Sequence, residues 1–60
     1  MNKLKQLRQK NGLAQAELAA RINVSQSTVA MWETGKAYPR VESLIKLAKI
    51  FGCSVSDLID

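Results

Sequence analysis

Residues 15–34, QAELAARINVSQSTVAMWET, decide the fold. Leu18, Ala19 and Ile22 share one helical face, and Val29 and Trp32 share another a few residues later. Between them Asn23 stands where a chain leaves a helix through positive φ, a conformation that asparagine tolerates better than most side chains. Ser25 follows, with a hydroxyl suited to cap the amides of a new first turn. The stretch predicts a helix from Gln15 to Ile22, an encoded break with Val24 plugging the corner, and another helix after Ser25 that ends at Gly35. With so short a link the two helices must cross steeply and pack at their near ends, which calls for a small residue such as Ala19 at the crossing.

The flanks are punctuated in the same way. Asn2 is placed to cap a first helix running to about Asn11, with Leu4 and Leu7 on one stripe and Gly12 as its left-handed exit. Leu13 then enters the core. Ala14 holds the cap position of the second helix without an oxygen, which costs about 1 kcal/mol relative to Ser or Thr, while Glu17 stands where a capping-box carboxylate belongs. Beyond Gly35, the KAYPR segment is a loop, because Pro39 lacks an amide donor and drives Tyr38 toward an extended conformation. Val41 to Phe51 forms the longest helix, with Leu44, Leu47, Ala48 and Phe51 on one face and Gly52 as its stop. Ser54 with Asp57 makes a capping box for a terminal helix carrying Val55, Leu58 and Ile59. No alternating strand pattern intervenes, so the expected architecture is all-α, a compact five-helix bundle forming one domain over residues 1–60.

Composition narrows the function. A chain of 60 residues buries only about 60% of the surface its unfolded form exposes, so its stability is small. Trp32, Tyr38 and Phe51 are its only aromatic residues, and the core must come mainly from Leu, Ile, Val and Ala. There is no His, and a single Cys53 can make neither an internal disulfide nor, without other soft ligands, a zinc site. No nucleophile, base or metal-ligand set emerges, so an enzyme is disfavoured and no cofactor is expected. The absence of a disulfide framework, a signal peptide or a long apolar run points to a soluble cytoplasmic protein away from membranes. Nine Lys and Arg against five Asp and Glu leave a net charge of +4, which favours a polyanionic partner without identifying one.

The third helix is more specific. At about 100° per residue, Val29 and Trp32 point inward and leave Gln26, Ser27, Ala30 and Met31 outside. A merely solvated face would carry Lys and Glu. A helix in the DNA major groove instead needs short polar groups and methyls that fit base edges: Gln bonds the adenine N6/N7 edge through both amide atoms, and Met31 and Ala30 suit thymine methyls. With no Arg or Lys on this face, direct readout should lean toward A·T pairs.

The chain resembles the helix-turn-helix family of phage Cro and repressor proteins, from LRQKNGLAQAELA through VSQSTVAMWETGK to LIKLAKIFGCSVSDLI. Gln15, Leu18, Ala19, Ile22, Val24, Val29, Trp32, Glu33 and Gly35 all fall in the family's spacing. Asn23 departs from its usual Gly and Ala14 from its usual Ser or Thr, two losses of stability rather than of function. The resemblance implies the repressor-type DNA-binding fold, with the helix-turn-helix formed by helices two and three. It makes helix three the recognition helix, with Gln26, Ser27 and Met31 at base-reading positions beside Ala30. Gln15 matches a glutamine that bonds a phosphate through its side chain and nearby amide, at a helix N-terminus that itself favours anions. Ser25, Thr28, Lys36, Tyr38, Arg40, Lys10 and Asn11 are further phosphate candidates; Arg40 resembles a basic residue that some repressors place in the minor groove. Arg8 and Glu33 match a partly buried ion pair between helices one and three, a structural role favoured over DNA contact.

Plainer roles suit the rest. Trp32 is a core residue rather than a stacking platform, Cys53 is a small residue near a cap rather than a redox sensor, and Lys3, Lys5, Lys46 and Lys49 are solvated. The expected function is that of a sequence-specific regulator of transcription, a repressor binding a palindromic double-stranded operator as a homodimer. One module buries too little DNA surface for high specificity by itself. Phe51, Cys53, Leu58 and Ile59 are candidates for the dimer surface; if the monomer's core uses them up, pairing off DNA is weak. The alternatives are an antitoxin or restriction-system controller acting on its own operon, and a protein-docking module on the same five-helix body.

Overall fold

A computed structural model describes residues 1–59, the side chain of Asn2 lying outside that description. Five helices follow one another: α1 (Asn2–Lys10), α2 (Gln15–Ile22), α3 (Gln26–Thr34), α4 (Val41–Phe51) and α5 (Val55–Leu58). There is no strand among the described residues. α2 packs chiefly on α3, α1 lies across α3 and α5, and α4 closes the body against α5 and α2. None of these helices is long and apolar enough to cross a membrane.

The helix ends follow local chemistry. Asn23 leaves α2 at φ 62° and ψ 45°, the left-handed conformation that its place in the sequence demands. The Val24 amide returns to the Ala19 carbonyl at 2.9 Å and the Asn23 amide to that of Ala20 at 3.3 Å, so two carbonyls that would lack partners are satisfied within the turn. The N-terminus of α2 is capped from one side only. The Ala14 amide donates to Glu17 Oε1 at 2.9 Å, whereas alanine has no oxygen to return the bond. At α5 both halves of the box are present, with Ser54 and Asp57 each bonding the other's amide at 3.1 and 3.3 Å. The first helix begins one residue earlier than expected: Met1, not Asn2, holds its cap position, and no side chain caps it.

Leu4, Leu18, Ala19, Ile22, Val29, Trp32, Leu47, Ala48 and Leu58 form one buried cluster, with Leu7, Leu13, Val24, Leu44 and Phe51 packed partly against it. Ala19 of α2 is buried within this cluster. The Met1 amino group also donates to the Trp32 carbonyl at 2.6 Å, tying the start of α1 to the last turn of α3.

One expected dimer residue is corrected here. Leu58 is fully buried and serves the monomer's own core. Phe51 and Cys53 are half-buried against the same core, and only Ile59 is exposed. Ile59 lies beyond α5, whose last residue is Leu58. Together with Met1, Tyr38, Pro39 and Leu44 it lines a shallow apolar cleft.

Candidate nucleic-acid interface

α3 is anchored at both ends and along one side. The Ser25 hydroxyl accepts from the Thr28 amide at 3.2 Å and is also within hydrogen-bonding distance of the hydroxyls of Ser27 (3.0 Å) and Thr28 (2.8 Å). Gly35 ends the helix at φ 82°. Val29 and Trp32 are buried, while Gln26, Ser27 and Met31 are exposed. Ala30, expected outside with them, is half-buried, so its methyl borders the strip rather than standing at its centre. The exposed strip carries no charge, because the one ionised side chain of α3, Glu33, turns inward.

Glu33 meets Arg8 across the α1/α3 contact. Arg8 Nε donates to Glu33 Oε2 at 2.6 Å and Nη2 to Oε1 at 3.2 Å, a fork-on-carboxylate geometry. Arg8 Nη1 donates to the Leu13 carbonyl at 2.8 Å and so also holds the α1/α2 loop. The two side chains are 11% and 3% exposed. Burial pushes the Glu33 carboxyl upward, but hydrogen bonds from Arg8 and Gln15, with the positive charges of Arg8 and Lys5, outweigh it and hold the group below the usual carboxylate range. The hydrogen bond to Glu33 raises Arg8 in turn.

Gln15 joins this pair to the exposed strip, a link that no local pattern in the sequence announces. Its Nε2 donates to Glu33 Oε1 at 3.0 Å, and its Oε1 accepts from Gln26 Nε2 at 3.4 Å. The first residue of α2 thus touches the first residue of α3. The one signal that points this way is the spacing of Val29 and Glu33, four apart on one helical face: a carboxylate on a buried face must find donors.

Among the other phosphate candidates, Lys10, Asn11, Ser25, Lys36, Tyr38 and Arg40 are exposed and Thr28 is half-buried. Asn11 has a local bond as well, its Nδ2 donating to the Leu7 carbonyl at 2.8 Å. Apart from Arg8, every Lys and Arg is exposed, so the basic surface is open to solvent. Burial and the neighbouring Asp57 push the Cys53 thiol upward, away from the thiolate form. Among the described residues no group of His, Cys, Asp and Glu is arranged to hold a metal.

Residues 4–58 match the helix-turn-helix family. The chain belongs to this family. It is a DNA-binding regulatory module and not an enzyme. It is 40% identical over 95% of its length to the transcriptional activator BcrR of Enterococcus faecalis, of which it spans 28%. An uncharacterised helix-turn-helix-type transcriptional regulator of Methanocaldococcus jannaschii is 39% identical over 95% of the chain, which covers 86% of that protein. The cryptic phage CTXphi transcriptional repressor RstR of Vibrio cholerae is 34% identical over 97% of the chain and is covered over 52% of its own length.

Proposed function

We propose that this module recognises a specific double-stranded operator with α3 in the major groove, acting in the cytoplasm as a repressor that occludes a promoter. The observation that carries the reading is the uncharged exposed strip of Gln26, Ser27 and Met31, held outward by a helix whose opposite side is buried at Val29 and Trp32. Such side chains match base edges better than they match water. Phosphate contacts supply the affinity: Gln15 at the start of α2, the hydroxyls of Ser25 and Thr28, and Lys36, Tyr38, Arg40, Lys10 and Asn11 around them.

Two copies bind a palindrome, with half-sites about one helical turn apart. The exposed apolar side chains Val41, Ile45 and Ile59 give such a pair a surface to cover, and with Leu58 committed to the core the pairing is weak off DNA and cooperative on it. Selection of bound sequences from a random duplex pool tests the whole reading. The expected result is a two-fold symmetric consensus, rich in A·T where α3 reads it, with affinity falling steeply between low and moderate salt. A pool that shows no enrichment, or binding indifferent to salt, would refute it.

A further inference from the structure

The chain carries three sulfur atoms, in Met1, Met31 and Cys53, and the fold places them differently. Met1 is half-buried, packed partly against the core, and lines the apolar cleft. Cys53 is half-buried as well, and its thiol is held away from the thiolate form that reacts. Met31 is 39% exposed, on the same uncharged strip as Gln26 and Ser27. A thioether has no proton to lose, so its sulfur lone pair is available at any pH and access decides whether it is oxidised.

We propose that Met31 is a reversible oxidation site whose sulfoxide form no longer accepts thymine at the base it touches. The proposal rests on base reading by α3, as set out above, and adds a means of changing what is read. The step consumes a peroxide. The sulfur lone pair attacks one peroxide oxygen, the O–O bond breaks and an S–O bond forms; the proton on the transferred oxygen passes to the departing hydroxide, which leaves as water. Sulfur loses two electrons and the peroxide gains them. A thiol-dependent sulfoxide reductase reverses the change.

The effect follows from donors and acceptors. The thioether is largely apolar and suits a thymine methyl. The sulfoxide oxygen is a strong acceptor with no proton to donate. Thymine shows the major groove a methyl and the O4 acceptor, so that oxygen would be desolvated without a partner. Cytosine has no methyl and places its N4 amino donor where thymine has O4. Oxidation thereby moves the choice at this position from thymine toward cytosine. The helix itself has no need to move. The Met31 carbonyl accepts from the Lys36 and Ala37 amides at 2.9 and 3.3 Å and from the Thr34 hydroxyl at 3.3 Å, and its side chain lies outside the core cluster.

The test measures binding of the full chain, before and after hydrogen peroxide, to its selected operator and to copies with single base changes. It scores the preference for T over C at the position whose discrimination Met31→Ala abolishes, with peptide mass spectrometry locating the added oxygen. Oxidised wild type should lose that preference about tenfold while preferences elsewhere stay within about twofold, and methionine sulfoxide reductase should restore it. Met31→Leu should keep the thymine preference and ignore peroxide. Cys53→Ser should respond as wild type does, which separates the thioether from the thiol. An unchanged preference in protein carrying the sulfoxide at Met31 would overturn the proposal while leaving base reading in place. A wild-type response in Met31→Leu, or oxygen found only on Met1 or Cys53, would overturn it too. The thermal melt of the oxidised chain should match that of the untreated one; loss of the fold on oxidation would refute an effect confined to the surface. If Met31→Ala alters discrimination at no position, Met31 reads no base and the proposal fails with that reading.

Discussion

α3 and α4, nine and eleven residues long, are joined by a short loop and share one core, yet their outer faces differ. α4 buries Leu47 and Ala48 and exposes Glu42, Lys46 and Lys49 beside Val41 and Ile45. Its charges are the ordinary means of keeping an amphipathic helix in water, and only the exposed Val41 and Ile45, placed above in the proposed pairing surface, are left for another role. α3 buries Val29 and Trp32, exposes Gln26, Ser27 and Met31, and directs its single carboxylate inward. The fold does not require this arrangement; an Ala, Lys and Glu face would hold α3 at least as well. The difference is what supports reading the exposed strip of α3 as the surface proposed above to meet DNA.

The comparison is broken most forcefully at the inward carboxylate. Arg8→Met alone should destabilise the fold by about 3–5 kcal/mol, because it strands a buried charge, whereas Arg8→Met combined with Glu33→Leu should cost much less. Urea unfolding of both variants checks this, and an equal loss would mean that the pair is not coupled. Acid sharpens the same point. Because the folded Glu33 carboxyl lies below its ordinary value of 4.5, the unfolded chain takes up that proton first. The pair's stabilisation is thus complete above that pH and is lost as pH falls toward the folded value. Asp57, also held below the usual range by its bonds to Ser54, contributes equally to wild type and double variant. The difference between their acid unfolding curves should therefore report Glu33, with wild type the more acid-sensitive.

Smaller effects separate the two outer faces. Gln26→Ala should cost about 1–3 kcal/mol on the selected operator and little on random DNA, measured by titration on both; equal losses would remove Gln26 from the base-reading set. Ala14→Ser should add about 1 kcal/mol to unfolding stability by supplying the missing half of the α2 cap, without altering operator preference. Lys49→Ala, on the solvated face of α4, should change stability by no more than about 0.5 kcal/mol and leave the operator preference as it was. A shift in preference there would mean that α4 also meets the duplex.

Much of the fold is legible in the sequence because its decisive signals are local. Asn23, Gly35 and Gly52 end helices through positive φ, and Ser25 and Ser54 begin them through a hydroxyl one turn away; each acts within about six residues of chain. The buried stripe of α4 and the outward phase of Gln26, Ser27 and Met31 follow likewise from helical periodicity. Ala30 is less legible, since it sits at the edge of that phase, where burial depends on how near the neighbouring helix comes.

What the sequence determined by itself is therefore the order of the five helices, the place of the bend and the uncharged face beyond it, all written in backbone preference and apolar spacing. Tertiary structure alone decided that Gln15 stands between Glu33 and Gln26, that Arg8 also grips the Leu13 carbonyl, and that Leu58 is inside while Ile59 is not. Gln15 and Glu33 are 18 residues apart. A hydrogen bond needs its atoms placed to within a few tenths of an ångström, and such placement exists only once the crossing of α1, α2 and α3 has been set by the packing of the whole core.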